Sequence, residues 1–226
     1  MKKVILSVVM VPFILAPAVM LAQSGMKPTA ATYITDEEVK TVNALPGVDR
    51  QIKVVDIGNE NFAVGIVHRG PTGAAARGAA AGAARGAGAA AAGGGRAAAA
   101  PTEACGVAST DPATGGTAGG ISHDQQTEGY LIVSGGGTMV TGGHIVNGRK
   151  SGPTNEVTTT LNGPSCSGPI AGADVVRKVV KTGDIVIIPA GVPHGWAEIT
   201  DHVDYLSFRP SARVLEAGYV NPALKK

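Results

Sequence analysis

The chain has 226 residues, enough for one ordinary domain with a sizeable core. Lys and Arg number 19 against 17 Asp and Glu, and Lys2 and Lys3 belong to a terminal targeting segment, so the body of the chain is close to neutral. That balance excludes nucleic acid and anionic membrane as partners. The 33 Gly and 14 Pro exclude a helical bundle and favour a turn-rich, all-β body.

Residues 1–22 read as a signal peptide. Lys2 and Lys3 form the basic region, Val4 to Leu21 the apolar run, and small residues follow at Ala22 and Ser24. The alternative is an uncleaved anchor, since the run approaches a bilayer span, although Pro12 and Pro17 interrupt it. A periplasmic or secreted location follows from the signal peptide, with no stable membrane insertion after cleavage. Export favours a bridge between Cys105 and Cys166, the only cysteines; two free or buried thiols are the alternative.

Residues 23–49 form a lead-in with a short N-terminal helix. Thr35 is its N-cap, Glu38 closes a capping box, Ile34 and Val39 form a staple, and Leu45-Pro46-Gly47 stops it. Gln51–Ile57 and Phe62–His68 are β-rich runs around Gly58-Asn59-Glu60-Asn61, a hairpin signal. From Gly70 to Ala100, 26 of 31 residues are Ala or Gly, with Arg77, Arg85 and Arg96 the only charges. Such a segment has too little side-chain bulk to pack, and 71–120 reads as a low-complexity insertion within a β domain spanning 50–226. Further strands are expected at Gly129–Val133, Thr138–Thr141, Val175–Val180, Ile185–Ile188, Gly195–Ile199 and Val203–Phe208, with a loop over 147–172. Short strands with Gly/Pro turns point to a sandwich or barrel.

Two stretches carry chemistry. His123 is followed by Glu128 and then Gly135, and Gly183 by Pro189, Gly191 and His194. A His and a Glu five apart cannot share a face of one straight strand, so a turn between them is expected to put them on adjacent antiparallel strands. Pro189 to Pro193 reads as a rigid loop that delivers His194. Two imidazoles and a carboxylate converging in a barrel suit a divalent first-row metal.

These stretches resemble the two motifs of the cupin superfamily, G-x5-H-x-H-x3,4-E-x6-G and G-x5-P-x-G-x2-H-x3-N. The matched residues are His123, Glu128 and Gly135 in the first, and Gly183, Pro189, Gly191 and His194 in the second. The resemblance implies a double-stranded β-helix, or jelly-roll barrel. It also implies a metal site of His123, Glu128 and His194 for Fe, Mn, Ni or Zn. Two positions depart from the pattern: Ile121 stands where the family has its first histidine, and Glu198 where it has the closing asparagine. Three of the usual four ligands remain, which leaves an open coordination position.

Glu198 shares strand parity with His194 and reads as a fourth ligand or a general acid/base, or else as a solvated residue at a strand end. Tyr130 shares parity with Glu128 and lines the cavity, either as packing or as a catalytic group. Trp196 reads as cavity wall. His144 is a loop histidine or a stand-in for the missing ligand, and His68 and His202 are structural or exposed. No GxSxG motif or P-loop is present. The expected function is an exported metal-dependent enzyme acting on a small-molecule substrate as an oxygenase, isomerase or decarboxylase. The alternative is a non-enzymatic module binding a sugar or other small ligand. A homodimer is a further expected partner arrangement.

Overall fold

The computed structural model describes residues 27–73, 103–110, 116–211 and 214–225. The leader at 1–22 and the Ala/Gly tract with Arg77, Arg85 and Arg96 lie outside the described residues. In chain order the elements are α1 (Asp36–Asn43), β1 (Asp49–Asp56), β2 (Asn61–Arg69), β3 (Ala104–Cys105), β4 (Thr117–His123) and β5 (Glu128–Thr141). Then come β6 (His144–Ile145), β7 (Gly148–Lys150), a π-helical turn (Val157–Leu161) and β8 (Ser165–Ala171). The series closes with β9 (Val176–Lys181), β10 (Ile185–Ile188), β11 (His194–Glu198) and β12 (Val203–Ser211).

All named pairings are antiparallel. One sheet runs β1-β2-β12-β5-β10. The other runs β9-β5-β11-β4-β8-β7-β3, with β6 also on β8. β5 belongs to both. Its first half pairs with β12 and β10, and its second half with β11 and β9. This is the double-stranded β-helix that the motifs implied.

The sequence suggested two strands where β5 is a single bent one. The corner falls at Gly135-Gly136-Gly137. Gly135 has φ +66°, and any Cβ there would run into the carbonyl of His202. Between the sheets lie Val67, Tyr130, Ile132, Met139, Ile188, Trp196, Ile199, Val203 and Tyr205. Each of the aliphatic members contributes about 1.5–3 kcal/mol by burial. Outside the first sheet, α1 packs Val42 on Ile52 and Ile66. Its capping box is as read: the Glu38 amide donates to Thr35 Oγ1 at 3.3 Å, and the Thr35 amide to Glu38 Oε2 at 3.1 Å.

Two expectations are corrected. The stretch 147–172 is not a loop, since it holds β7 and β8, and β8 lies inside the second sheet. β4 likewise begins at Thr117, within the span read as insertion. Both strands are rich in Gly and Ser, and so lack the alternation of bulk that marks a strand. Small residues are needed because the strands are crossed at close range: a Cβ on Gly120 would collide with the side chain of Ile170. The Cys105–Cys166 disulfide forms, with Cα atoms 6.0 Å apart, and joins β3 to β8 beside Ile145 and Ile170.

A candidate metal centre facing an open cleft

His123 is the last residue of β4, Glu128 the first of β5 and His194 the first of β11. β4 and β5 are not paired, as the spacing had suggested; β11 lies between them. The turn at 124–127 carries the chain from one sheet to the other. Glu128 therefore stands on the sheet that faces the two histidines. The three residues are 2–4% exposed and present one donor atom each within 4.8 Å of one another.

Glu128 Oε2 is 3.2 Å from His123 Nε2 and 3.1 Å from His194 Nε2, and it accepts from Tyr130 Oη at 2.6 Å. Oε1 is taken up on the opposite side. It accepts from Asn162 Nδ2 at 2.9 Å, Ser207 Oγ at 3.0 Å and Arg209 Nε at 3.1 Å. Burial alone would raise this carboxyl. The hydrogen bonds of His123 and His194 and the charge of Arg209 outweigh it and hold the group well below the usual carboxylate range.

The far nitrogens of both rings are committed. His194 Nδ1 lies 3.1 Å from the carbonyl of Val192, which can only accept, so Nδ1 carries the proton. His123 Nδ1 lies 2.8 Å from Ser165 Oγ, whose own proton goes to the carbonyl of Gly163 at 2.8 Å. Ser165 therefore accepts, and His123 Nδ1 also carries its proton. Burial lowers the pKa of His123 against the pull of Glu128 and favours the neutral ring. With Nδ1 of each ring carrying a proton, Nε2 donates to Glu128 Oε2 only when the ring is charged; once that proton leaves, two imidazole lone pairs and one carboxylate oxygen face a common point. A cation resolves that arrangement. Spacings of 3.1–3.2 Å suit neighbouring donors at about 2.1 Å from a metal and close to a right angle. The donor set of two imidazoles and one carboxylate fits a divalent transition metal better than Ca2+ or Mg2+.

Arg209 is the largest fully buried side chain and anchors the back of the site. Its Nη1 donates to Gln51 Oε1 and the carbonyl of Leu161, and its Nη2 pairs with Asp49. Gly65 makes room for it; a Cβ there would sit 3.1 Å from Nη1. Arg209, Ser207, Asn162 and Ser165 escaped the motif reading. The alternation Val203-Tyr205-Ser207-Arg209 carried the signal for two of them, because it sets a charge on the inward face.

The cluster opens to a cleft of about 800 Å³ lined by Arg69, Ile121, Tyr130, Trp196 and Tyr205, among others. Tyr130 is buried beside Glu128, and burial together with that charge pushes its hydroxyl well above its usual range. Trp196 lines the cleft as expected. Ile121 pairs across to His194 and stands two residues from His123, where the fourth ligand would be. Glu198 takes the solvated alternative. The register of β11 against β5 shifts between Trp196 and Glu198, so strict alternation from His194 fails, and Glu198 is exposed beside Gly137 and Thr200 rather than in the cleft. His144 is exposed on β6 and does not replace the missing histidine. His68 pairs with Asp204, and His202 with Asp201 and Ser134, as structural groups near the surface.

No family model and no curated protein sequence matches the chain. Among solved structures it is similar to an uncharacterized conserved protein with a double-stranded beta-helix domain from Klebsiella pneumoniae subsp. pneumoniae. The identity is 12%, the TM-score 0.33, and the match covers 82% of this chain and 93% of that one. It is also similar to a recombinant oxalate oxidase in complex with glycolate, at 11% identity and a TM-score of 0.30, over 75% of this chain and 54% of that one. A third likeness is to Peruvianin-I, a cysteine peptidase from Thevetia peruviana latex, at 10% and 0.30, over 80% and 76%. Likenesses this distant decide nothing about chemistry. The strand order itself defines a double-stranded β-helix, or jelly-roll barrel, with a buried His-Glu-His group able to bind a metal.

Proposed function

We propose that the chain is an exported, metal-dependent enzyme acting on a small molecule in the cleft. Its metal is a divalent ion of the Fe, Mn, Ni or Zn group, held by His123, Glu128 and His194. One observation supports this above the others: both Nδ1 atoms are spent on Ser165 and Val192, so the ring nitrogen each histidine has to offer an ion is Nε2, beside Glu128 Oε2. Such a metal supplies Lewis-acid or, for Fe and Mn, redox chemistry, consistent with an isomerase, decarboxylase or oxygenase.

The chain's own residues do the rest. Arg209, Ser207 and Asn162 hold Oε1, so Glu128 offers only Oε2 to the ion. Tyr130 keeps its proton at Oε2 and is the catalytic candidate that remains, since Glu198 faces away. Trp196 and Tyr205 keep water from one wall of the cleft. Export is supported by the leader-like residues 1–22 and by the disulfide, a bond that persists in oxidising compartments. Among the described residues no helix is long and apolar enough to cross a membrane.

The outward position of Glu198 favours a second reading, a small-ligand binding module that turns nothing over. Metal analysis of protein purified without chelator, with His194→Ala as control, tests the first reading. About one equivalent in the wild type and none in the variant supports it; equal metal in both, or none in either after incubation with each ion, refutes it.

A further inference from the structure

We propose that the cleft takes a small carboxylate and that Arg69 is the residue that recognises it. This deepens the reading above and rests on its site. Arg69 ends β2 with the same parity as Val67, a residue of the core between the sheets, so its side chain enters the barrel rather than the solvent. It lines the same cleft as His123, Glu128 and His194.

Only one edge of its guanidinium is used. Nε donates to Tyr205 Oη at 3.3 Å, and among the described residues Nη1 and Nη2 have no hydrogen-bond or ion-pair partner. The residues outside the described set carry a single acidic side chain, Asp111. Three other charged side chains line the rim. Asp49 pairs its Oδ2 with Arg209 and leaves Oδ1 without a hydrogen bond, Arg50 spends its terminal nitrogens on Leu45, Gly47 and Asn43, and Glu156 is exposed. A half-buried guanidinium with its two-pronged end open matches a carboxylate in shape and charge.

The aromatic wall sets the separation. Tyr205 Oη receives Arg69, its ring lies 4.3 Å from that of Tyr130, and Tyr130 Oη reaches Glu128 Oε2 at 2.6 Å. Two packed phenols thus span the interval between the guanidinium and the metal ligands, and Trp196 lies on the same wall, its ring tilted and 5.8 Å from that of Tyr205. The ligand that fits carries its carboxylate at one end, an apolar or aromatic body along these rings, and its reacting group at the metal end. With a dication bound the cleft gains further positive charge, which adds to the preference for an anion.

Calorimetric titration of the full disulfide-bonded protein with benzoate and with its neutral isostere benzamide tests this, with metal content measured on every sample. Wild type is expected to bind benzoate at least tenfold more tightly than benzamide. Arg69→Gln is expected to lose that preference while keeping its metal, and Arg69→Lys to retain part of it. Near-ultraviolet circular dichroism verifies that each variant is folded. Equal binding of benzoate by wild type and Arg69→Gln overturns the proposal, as does no benzoate binding by wild type up to about 10 mM. Metal-loaded wild type that prefers neither probe sinks the carboxylate and leaves the metal reading intact. Benzoate bound through Arg69 in a chain that takes up no metal does the opposite.

Discussion

Arg209 stands directly behind Glu128, its Nε 3.1 Å from Oε1, while the other carboxylate oxygen faces His123 and His194. One buried cation thereby decides which oxygen of the carboxylate is free. Removing it strips the buried Glu128 and the partly buried Asp49 of their shared cation. Arg209→Met is expected to destabilise the fold by about 3–5 kcal/mol in urea unfolding. Ser207→Ala, which removes one donor and no charge, should lower metal affinity about 10-fold with far less loss of stability. Unchanged metal affinity in Ser207→Ala would show that Oε1 needs no holding.

Ile121 offers a gain-of-ligand test. It pairs with His194 and shares its face with His123, so Ile121→His adds an imidazole next to the existing three donors. Competition with a chromophoric chelator should show affinity raised at least tenfold, about 1.4 kcal/mol. No change would mean that the ion, if bound, sits elsewhere.

Glu198→Gln is expected to do nothing. The side chain is exposed and outside the cleft, so stability should stay within about 0.5 kcal/mol and metal content should be that of wild type. Loss of metal in this variant would reinstate Glu198 as a ligand.

Acid should destabilise the metal-free protein in two stages. Burial holds His123 below its ordinary 6.5, against the opposing pull of Glu128, so folding favours the deprotonated ring. The stability this confers is complete above 6.5 and is lost as pH falls through the folded value. Glu128 is held well below 4.5 despite its burial, by His123, His194 and Arg209, and adds stability that is lost only below 4.5. Melting temperature should therefore be flat above 6.5, decline below it, and drop again below 4.5. His123→Asn should remove the first decline and keep the second.

The cross-link between Cys105 and Cys166 closes a loop of 61 residues in sequence, and Cys166→Ser is expected to cost about 4 kcal/mol in the chain-entropy model. Alkylation of unfolded, unreduced protein should find no free thiol in the wild type.

The barrel and the three donors were legible because they obey strong local rules. His123, Glu128 and His194 sit at strand ends beside turn residues, and β1, β2, β10 and β12 read directly from β-branched runs. β4 and β8 were not legible, because close crossing by Ile170 demands the glycines and serines that also make loops. For Glu198 the sequence left two positions open, and a single register shift after Trp196 decides for the solvated one. Arg209 and Arg69 stayed hidden for another reason: the residues that make a charge tolerable indoors come from β1, β5, β12 and the π-helical turn, far apart in sequence.

The bent strand β5 has a mechanical consequence. It begins at the candidate metal ligand Glu128 and ends at Thr141, and each half supplies the central hydrogen bonds of a different sheet. Neither sheet can open alone without tearing a strand that the other depends on. Amides on the two sides of the Gly135 corner, such as those of Ile132 and Val140, should therefore exchange with deuterium at one common free energy, and an ion captured at Glu128 should slow both by the same factor.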